Sequence, residues 1–250
     1  MREISFLQIV QRVEWLYHRA AIWLSPDIVM GLECAAEGEE DPAVRSALED
    51  RVAEVLRSAE MGTALLPGKT WPRVIAHVGR DVQMIGGSLD SAIAEGLRRA
   101  SGDGSSSGRL ALIAGERIYL QIVLEAPEEA LIFGRLSSAA AQADLCDFVI
   151  ESAKRAALPA PWPLIVGIGL GDSESQCAQL AAEALARPID RRNEDPYHAK
   201  MERRILRAMN GPDGSAKALA VQIEARPRTE ACYLALRFSS FLLRRAACSI

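Results

Sequence analysis

Apolar residues recur at three-to-four spacing from the start of the chain. Ile4, Leu7, Ile9, Val10, Val13, Leu16 and Tyr17 predict an amphipathic helix running to about Leu24. Residues 27 to about 38 and 41 to about 59 carry the same period, so the N-terminal quarter is expected to be helical. Residues 64–71 break the pattern: Pro67 and Gly68 mark a loop. VIAHVG and DVQMIGG follow as two short strands joined by a turn at Gly79. Ser88 is placed to cap the next helix, LDSAIAEGLRRA. Leu89, Ile93 and Leu97 share one face of it, and its arginines complement the dipole at its C-terminal end.

The stretch GDGSSSG, residues 102–108, has the composition of a flexible surface loop and reads equally as a domain linker or a shortened internal loop. RLALIAGERIYLQIVLEA predicts two strands about a turn at Ala114, Gly115 and Glu116, with alternation clear in the second. Leu145, Phe148, Val149 and Ala153 align on a helix from about 141 to 157, ended by PAPWP because proline disfavours helical geometry in the residue before it. LIVGIGLG is a continuous apolar strand entering a glycine turn, and DSESQCAQLAAEALA is the helix after it. A further helix spans about 196–210. After the turn GPDG, KALAVQIEA and YLALRF are predicted as the two final strands. The expected fold is therefore α+β, a helical N-terminal part followed by mixed α/β structure with short sheets. It forms a single domain over 1–250 or two lobes divided near 102–108.

A net charge of -4 and a pI near 5.6 supply no basic field, so neither nucleic acid nor an anionic membrane is expected as a partner. No stretch reaches the roughly 18 to 20 apolar residues of a membrane span, and the N-terminus lacks a signal-peptide pattern, which predicts a cytoplasmic protein. Cys34, Cys146, Cys177, Cys232 and Cys248 stand far apart and are odd in number. Free thiols with no metal role are expected. His18, His77 and His198 are similarly dispersed. In GIGLGDS, Gly167, Gly169 and Gly171 miss the dinucleotide-binding spacing and no P-loop lysine follows, so tight strand-to-helix packing is preferred over an anion site. RRNEDPYHAKMERR mixes both signs of charge and reads as a solvated helix start rather than a substrate clamp. Ser239 and Ser240 lack a nucleophile elbow, which leaves hydrolase chemistry without support.

MREI, GRDVQMIGGSLDSAIAEGLRR, VGIGLGDS, ALARPIDRRNEDPY and ALAVQIEA, spread over nearly the whole chain, resemble in order and spacing the alpha region of class I iron-sulfur fumarases and L-tartrate dehydratases. That resemblance implies a hydro-lyase fold whose relatives hold a four-iron four-sulfur cluster through three cysteines. Carried onto this chain, the first cysteine position holds Leu66, with Gly68 at the following acid. The second holds Trp162 or Pro161, and the third holds Ser240, with Phe241 at the following histidine. Arg244 alone is retained there. GDGSSSG stands where a substrate loop is expected, and PEEALIFG replaces a glycine-rich segment.

Hydroxyls and leucines do not hold iron-sulfur clusters. The resemblance therefore implies a non-catalytic alpha-like subunit with no cofactor, serving as scaffold, regulator or binding module beside a beta-type hydro-lyase subunit or a second copy of itself. No catalytic residue is assigned, and Arg187, Arg192 and Arg244 are the candidate substrate-binding residues. One rival reading is a cluster-independent enzyme using Asp172, Arg187, Arg192 or Glu224 on a small carboxylic acid. The other is an active hydro-lyase with Cys146, Cys177 and Cys232 as an unexpected ligand set.

Overall fold

The computed structural model describes residues 2–22, 26–37, 42–60, 71–101, 109–115, 117–125, 130–136, 142–155, 164–211, 218–226, 232–240 and 244–250. In chain order the elements are β1 (Arg2–Ser5), α1 (Phe6–Ile22), α2 (Pro26–Glu37), α3 (Pro42–Glu60), β2 (Trp71–Gly79), β3 (Val82–Ile85), α4 (Leu89–Ser101), β4 (Arg109–Gly115), β5 (Tyr119–Glu125), β6 (Ala130–Leu136), α5 (Gln142–Arg155), β7 (Leu164–Gly171), α6 (Glu174–Ala186), α7 (Pro196–Met209), β8 (Ala218–Ala225), β9 (Cys232–Ser240) and β10 (Arg244–Ser249). The α+β expectation holds. Contacts divide the chain into one unit of Met1–Ser25, Ala53–Pro127 and Leu242–Ile250, and another of Pro26–Val52 and Glu128–Phe241.

In the first unit the chain opens on a strand where a helix was expected, because Ser5 stops the helical run short. Its Oγ accepts the Gln8 N–H at 3.3 Å while Gln8 Oε1 accepts the Ser5 N–H at 2.9 Å, a reciprocal cap that starts α1 at Phe6. Ile4 lies instead in β1, which pairs in parallel with β3. The second sheet has the order β10-β5-β2-β4. Strands adjacent in sequence are thus not adjacent in space. β2 and β3 belong to different sheets, and β4 and β5 are separated by β2, which runs parallel to β4 and antiparallel to β5.

Val74 and Ala76 of β2 and Leu120, Ile122 and Leu124 of β5 form one core with Val10, Val13 and Leu16 of α1 and Ile93 and Leu97 of α4. Gly96 sets the spacing of the two helices: a Cβ there would lie 2.7 Å from Val13 Cβ and 2.9 Å from the Val10 carbonyl oxygen. Ser88 caps α4 as predicted, its Oγ accepting the Ser91 N–H at 3.1 Å. The C-terminal residues after YLALRF add a strand the pattern did not predict, β10, antiparallel to β5.

The second unit is built on a sheet of order β6-β9-β7-β8, with β7 parallel to β8 and antiparallel to β9. Alternation along β7 decides its layers. Leu164, Val166, Ile168 and Leu170 join the core made with Leu145 and Val149 of α5 and Met201, Ile205 and Met209 of α7. Gly167, Gly169 and Gly171 face α6 on the other side. A Cβ would stand 2.3 Å from the Ala181 carbonyl oxygen at Gly167 and 2.0 Å from that of Cys177 at Gly169. The glycine strand is therefore a packing device that brings helix backbone onto strand backbone. KALAVQIEA and YLALRF are strands, as expected, but β7 lies between them, and β6 arises from PEEALIFG and the residues after it, read only as the replacement of a glycine-rich segment.

Candidate functional site: a polar clamp and pocket at the edge of strand β8

β8 ends the sheet, so alternate residues turn their N–H and C=O groups away from β7, and buried groups of that kind need partners. At Ile223 the partners are side chains. Glu202 Oε1 accepts the Ile223 N–H at 2.8 Å, and the Ile223 carbonyl accepts from Arg187 Nη2 at 3.3 Å and from Asn193 Nδ2. Arg187 Nη2 also donates to Glu202 Oε1, and Glu202 Oε2 accepts the Asn193 N–H at 3.2 Å. One buried carboxylate thus ties the end of α6, the following loop and α7 to the strand. Asn210 repeats the device at the start of β8: its Nδ2 donates to the Ala218 carbonyl at 2.9 Å and its Oδ1 accepts the Ala218 N–H at 2.8 Å.

The loop between α6 and α7 is fixed at several further points. Gln222 Nε2 donates to the carbonyls of Arg187 at 2.9 Å and Pro188 at 3.0 Å, and Asp27 Oδ2 accepts the Ile189 N–H at 2.9 Å. Asp195 caps α7 through the Tyr197 N–H at 2.8 Å, with Pro196 at the first helical position. Glu224 lies 3.5 Å from Arg187 Nε. Burial pushes its carboxyl above the usual range, with the Arg187 charge working in the opposite direction.

Beside this clamp is a pocket of about 160 Å³, walled by Arg191 and Arg192 of the loop, Arg203 and Leu206 of α7, and Leu219 and Val221 of β8. Arg191, Arg192 and Arg203 are exposed at its rim. The structure thus brings Arg187 and Arg192 onto one loop with different roles: Arg187 is held in the ion pair with Glu202, and Arg192 lines the pocket. Arg244 belongs to the other unit, at the first position of β10 opposite Leu124. It is fully buried, none of its guanidinium nitrogens has a hydrogen-bond partner among the described residues, and burial holds its pKa down to about 10.

Sequence reading missed Asn193, Glu202 and Gln222, and took Asn193 and Glu202 for part of a solvated helix start. A signal was present: Glu202 falls at helical spacing among Ala199, Met201, Ile205 and Met209, all buried, where a charge needs a dedicated partner. Asp172 lies in the turn into α6, its N–H donated to Gln176 Oε1 at 2.9 Å.

The cysteines are dispersed, as expected. Cys146 sits in the core on the α5 side of the sheet, its thiol pushed up by burial. Cys177 is buried on the α6 side and donates to the Tyr233 carbonyl at 3.1 Å. Among the described residues, no group of three or more His, Cys, Asp or Glu is gathered to hold a metal. Ser240 ends β9, whereas Leu66, Gly68, Pro161, Trp162, Phe241 and residues 102–108 lie outside the described residues. No described helix is long and apolar enough to cross a membrane.

Comparison with known proteins gives these features a lineage. The chain is 33% identical over 88 residues to the L(+)-tartrate dehydratase subunit alpha of Escherichia coli, and equally to those of Shigella boydii and Shigella sonnei. The aligned stretch is 32% of this chain and 29% of each relative, so the chain matches less than a third of the length of these curated proteins. The fumarate hydratase (Fumerase) family matches residues 127–248. That region is narrower than the nearly full-length resemblance expected. It holds VGIGLGDS, ALARPIDRRNEDPY and ALAVQIEA, but not MREI or the segment around Ser88. Residues 127–248, which carry the glycine strand, the β8 clamp and the arginine pocket, are thus the part of this chain that is similar to the fumarate hydratase family.

Proposed function

We propose that this chain is an alpha-like hydro-lyase subunit that has given up cluster chemistry and acts as a non-catalytic scaffold or binding module. The observation that carries the proposal is the placement of its thiols. By the resemblance, the cluster-ligand positions fall on Leu66, on Trp162 or Pro161, and on Ser240, none of which supplies a thiolate. The cysteines elsewhere do not replace them. Cys146 and Cys177 lie on opposite faces of one sheet, and thiolate–metal bonds of about 2.3 Å cannot gather both around one cluster. Burial also disfavours the Cys146 thiolate. The residues present do not fit an iron-sulfur cluster, so no step of a mechanism is drawn through one.

What the fold keeps is suited to holding a small acid. Arg191, Arg192 and Arg203 outnumber the two acids, Asp190 and Glu202, that line the same pocket of about 160 Å³, and Glu202 is already held by Arg187. The loop bearing two of them is fixed by Glu202, Gln222 and Asp27, so little order remains to be imposed on binding. Guanidinium groups bind carboxylates through paired N–H donors, which makes a small carboxylate the favoured ligand. Arg244 is a second candidate cation in the other unit. A beta-type chain is the proposed partner, since the matched relatives are named as alpha subunits. The cytoplasm is the proposed setting.

The test is the iron and acid-labile sulfide content of protein purified without oxygen from its own host, any companion chain being assayed separately. Negligible iron on this chain is expected. About four irons and four sulfides per chain would overturn the proposal and return Cys146, Cys177 and Cys232 to consideration. One observation favours a second reading, a cluster-independent enzyme for a small carboxylic acid: the raised carboxyl of Glu224 stands beside Arg187, an acid–cation pair able to hold a proton near a bound anion. Turnover of a small carboxylic acid by the iron-free protein, lost in Glu224→Gln, would establish that reading in place of the first.

A further inference from the structure

The outward side of β8 is met by protein to either side of one residue and left open at that residue. The Arg226 N–H donates to the Leu170 carbonyl at 3.0 Å, which turns the even-numbered positions toward β7, and the bonds made at Ile223 show the odd-numbered ones turned away. The register slips where Leu164 pairs with Ala218 and Ile165 with Ala220, so Leu219 is an extra residue and Ala218 also looks outward. Ala218 is met by Asn210, and Ile223 by Glu202, Arg187 and Asn193. Val221 lies between them. It is only 4% exposed and lines the arginine pocket, and its outward N–H and C=O have no partner among the described residues. Gln222 lines the same pocket with its Nε2 occupied by two carbonyls, and its buried Oε1 likewise has no partner among the described residues. The wall thus holds one donor and two acceptors unpaired, and buried groups of that kind need partners.

We propose that the pocket takes a free α-amino acid, its amine on the Val221 carbonyl and its carboxylate on the Val221 N–H and the rim arginines. The inference rests on the reading of this pocket as a small-acid site and narrows it. Two residues facing each other in an antiparallel pair exchange both N–H···O bonds, so one amino acid carries, on either side of its Cα, the donor and the acceptor that Val221 lacks. The second carboxylate oxygen is left for Arg191, Arg192 or Arg203. An ammonium group has three donors, enough for the Val221 carbonyl and Gln222 Oε1 together, and Asp190 of the lining offsets its charge. A hydroxyl has one donor and answers only one of the two acceptors, and a plain carboxylate answers neither.

Size and neighbours limit the ligand further. At about 160 Å³ the pocket is close to the roughly 150 Å³ of a cavity that encloses benzene, so about six non-hydrogen atoms fit inside, as many as L-alanine has. Because Ala218 and Ile223 are already met, an extended peptide has no second position on this edge at which to bond, which selects a free amino acid over a chain.

The probes are L-alanine, L-lactate and propanoate, which share a carboxylate and a three-carbon skeleton and differ in carrying an amine, a hydroxyl or neither. In amide NMR titrations of the full chain, L-alanine should bind at least about tenfold more tightly than propanoate, with L-lactate between them. The Val221 amide signal should be among those that move most. Arg192→Gln, at the exposed rim, should weaken all three by a similar factor, roughly three- to tenfold, and keep their order. Propanoate or L-lactate binding as tightly as L-alanine overturns the amino acid and leaves the small-acid site standing. Binding of L-alanine with an unmoved Val221 amide overturns the placement in the same way. No binding by any of the three at about 100 mM overturns both this inference and the small-acid reading. None of these outcomes depends on iron content.

Discussion

The four-stranded sheet of the second unit has two edges that are treated in opposite ways. At β8 the outward groups of Ile223 and Ala218 are met by Glu202, Arg187, Asn193 and Asn210. At β6 the backbone edge carries no such partners among the described residues, and Phe133 stands in water. The first edge is closed by side chains of its own chain, at the cost of burying a charged pair. The second is met by no such side chains among the described residues. A polar cluster near a sheet edge is therefore not by itself a ligand site: three residues beside β8 that look chemical, Arg187, Asn193 and Glu202, satisfy its backbone.

Substitutions on the two edges test that contrast. Glu202→Ala should have the largest effect, a loss of about 3 kcal/mol, because it takes the nearer carboxylate from the buried Arg187, leaving it Glu224, and leaves the Ile223 N–H unsatisfied. Chemical denaturation measures it, and a loss below about 1 kcal/mol would mean that the clamp does not close the edge. Asn210→Ala, which frees both Ala218 groups at a more exposed place, should cost about 1 kcal/mol in the same measurement.

Glu224→Gln is smaller and of opposite sign. The folded-state pKa of Glu224 is raised, so the folded chain binds that proton more tightly than the unfolded chain does. The carboxylate accordingly lowers stability once pH rises above the unfolded value, about 4.3, and costs nothing well below it. The variant should gain less than about 0.5 kcal/mol at neutral pH, and the gain should vanish in acid; a gain that grows in acid would contradict the assigned cause. Phe133→Lys on the open edge should leave the folding of the chain within about 0.5 kcal/mol of the parent, because Phe133 is already largely exposed. A large loss of stability would show that the face of β6 bearing Phe133 belongs to the core.

Much of this fold was legible in the sequence, and the failures share a cause. Helical periods located α2 to α7, and the cap at Ser88 was identified from one side chain. The strands β1, β6 and β10 were missed because what makes them strands is pairing, and their partners β3, β9 and β5 are supplied by other parts of the chain. Pairing order was invisible for the same reason: nothing local tells β4 that β2 will come between it and β5. In the candidate site, Arg187 and Arg192 were named from residue type, but only the structure separates the arginine held by Glu202 from the one that lines the pocket.

Gly167, Gly169 and Gly171 bear on inheritance as well as on packing. A side chain at Gly169 would collide with helix backbone, which has no rotamer by which to move aside. Selection for a folded chain is enough to keep such a strand through any change of trade. The segment that most plainly declares this protein's ancestry is therefore the one least able to testify to what its descendants still do.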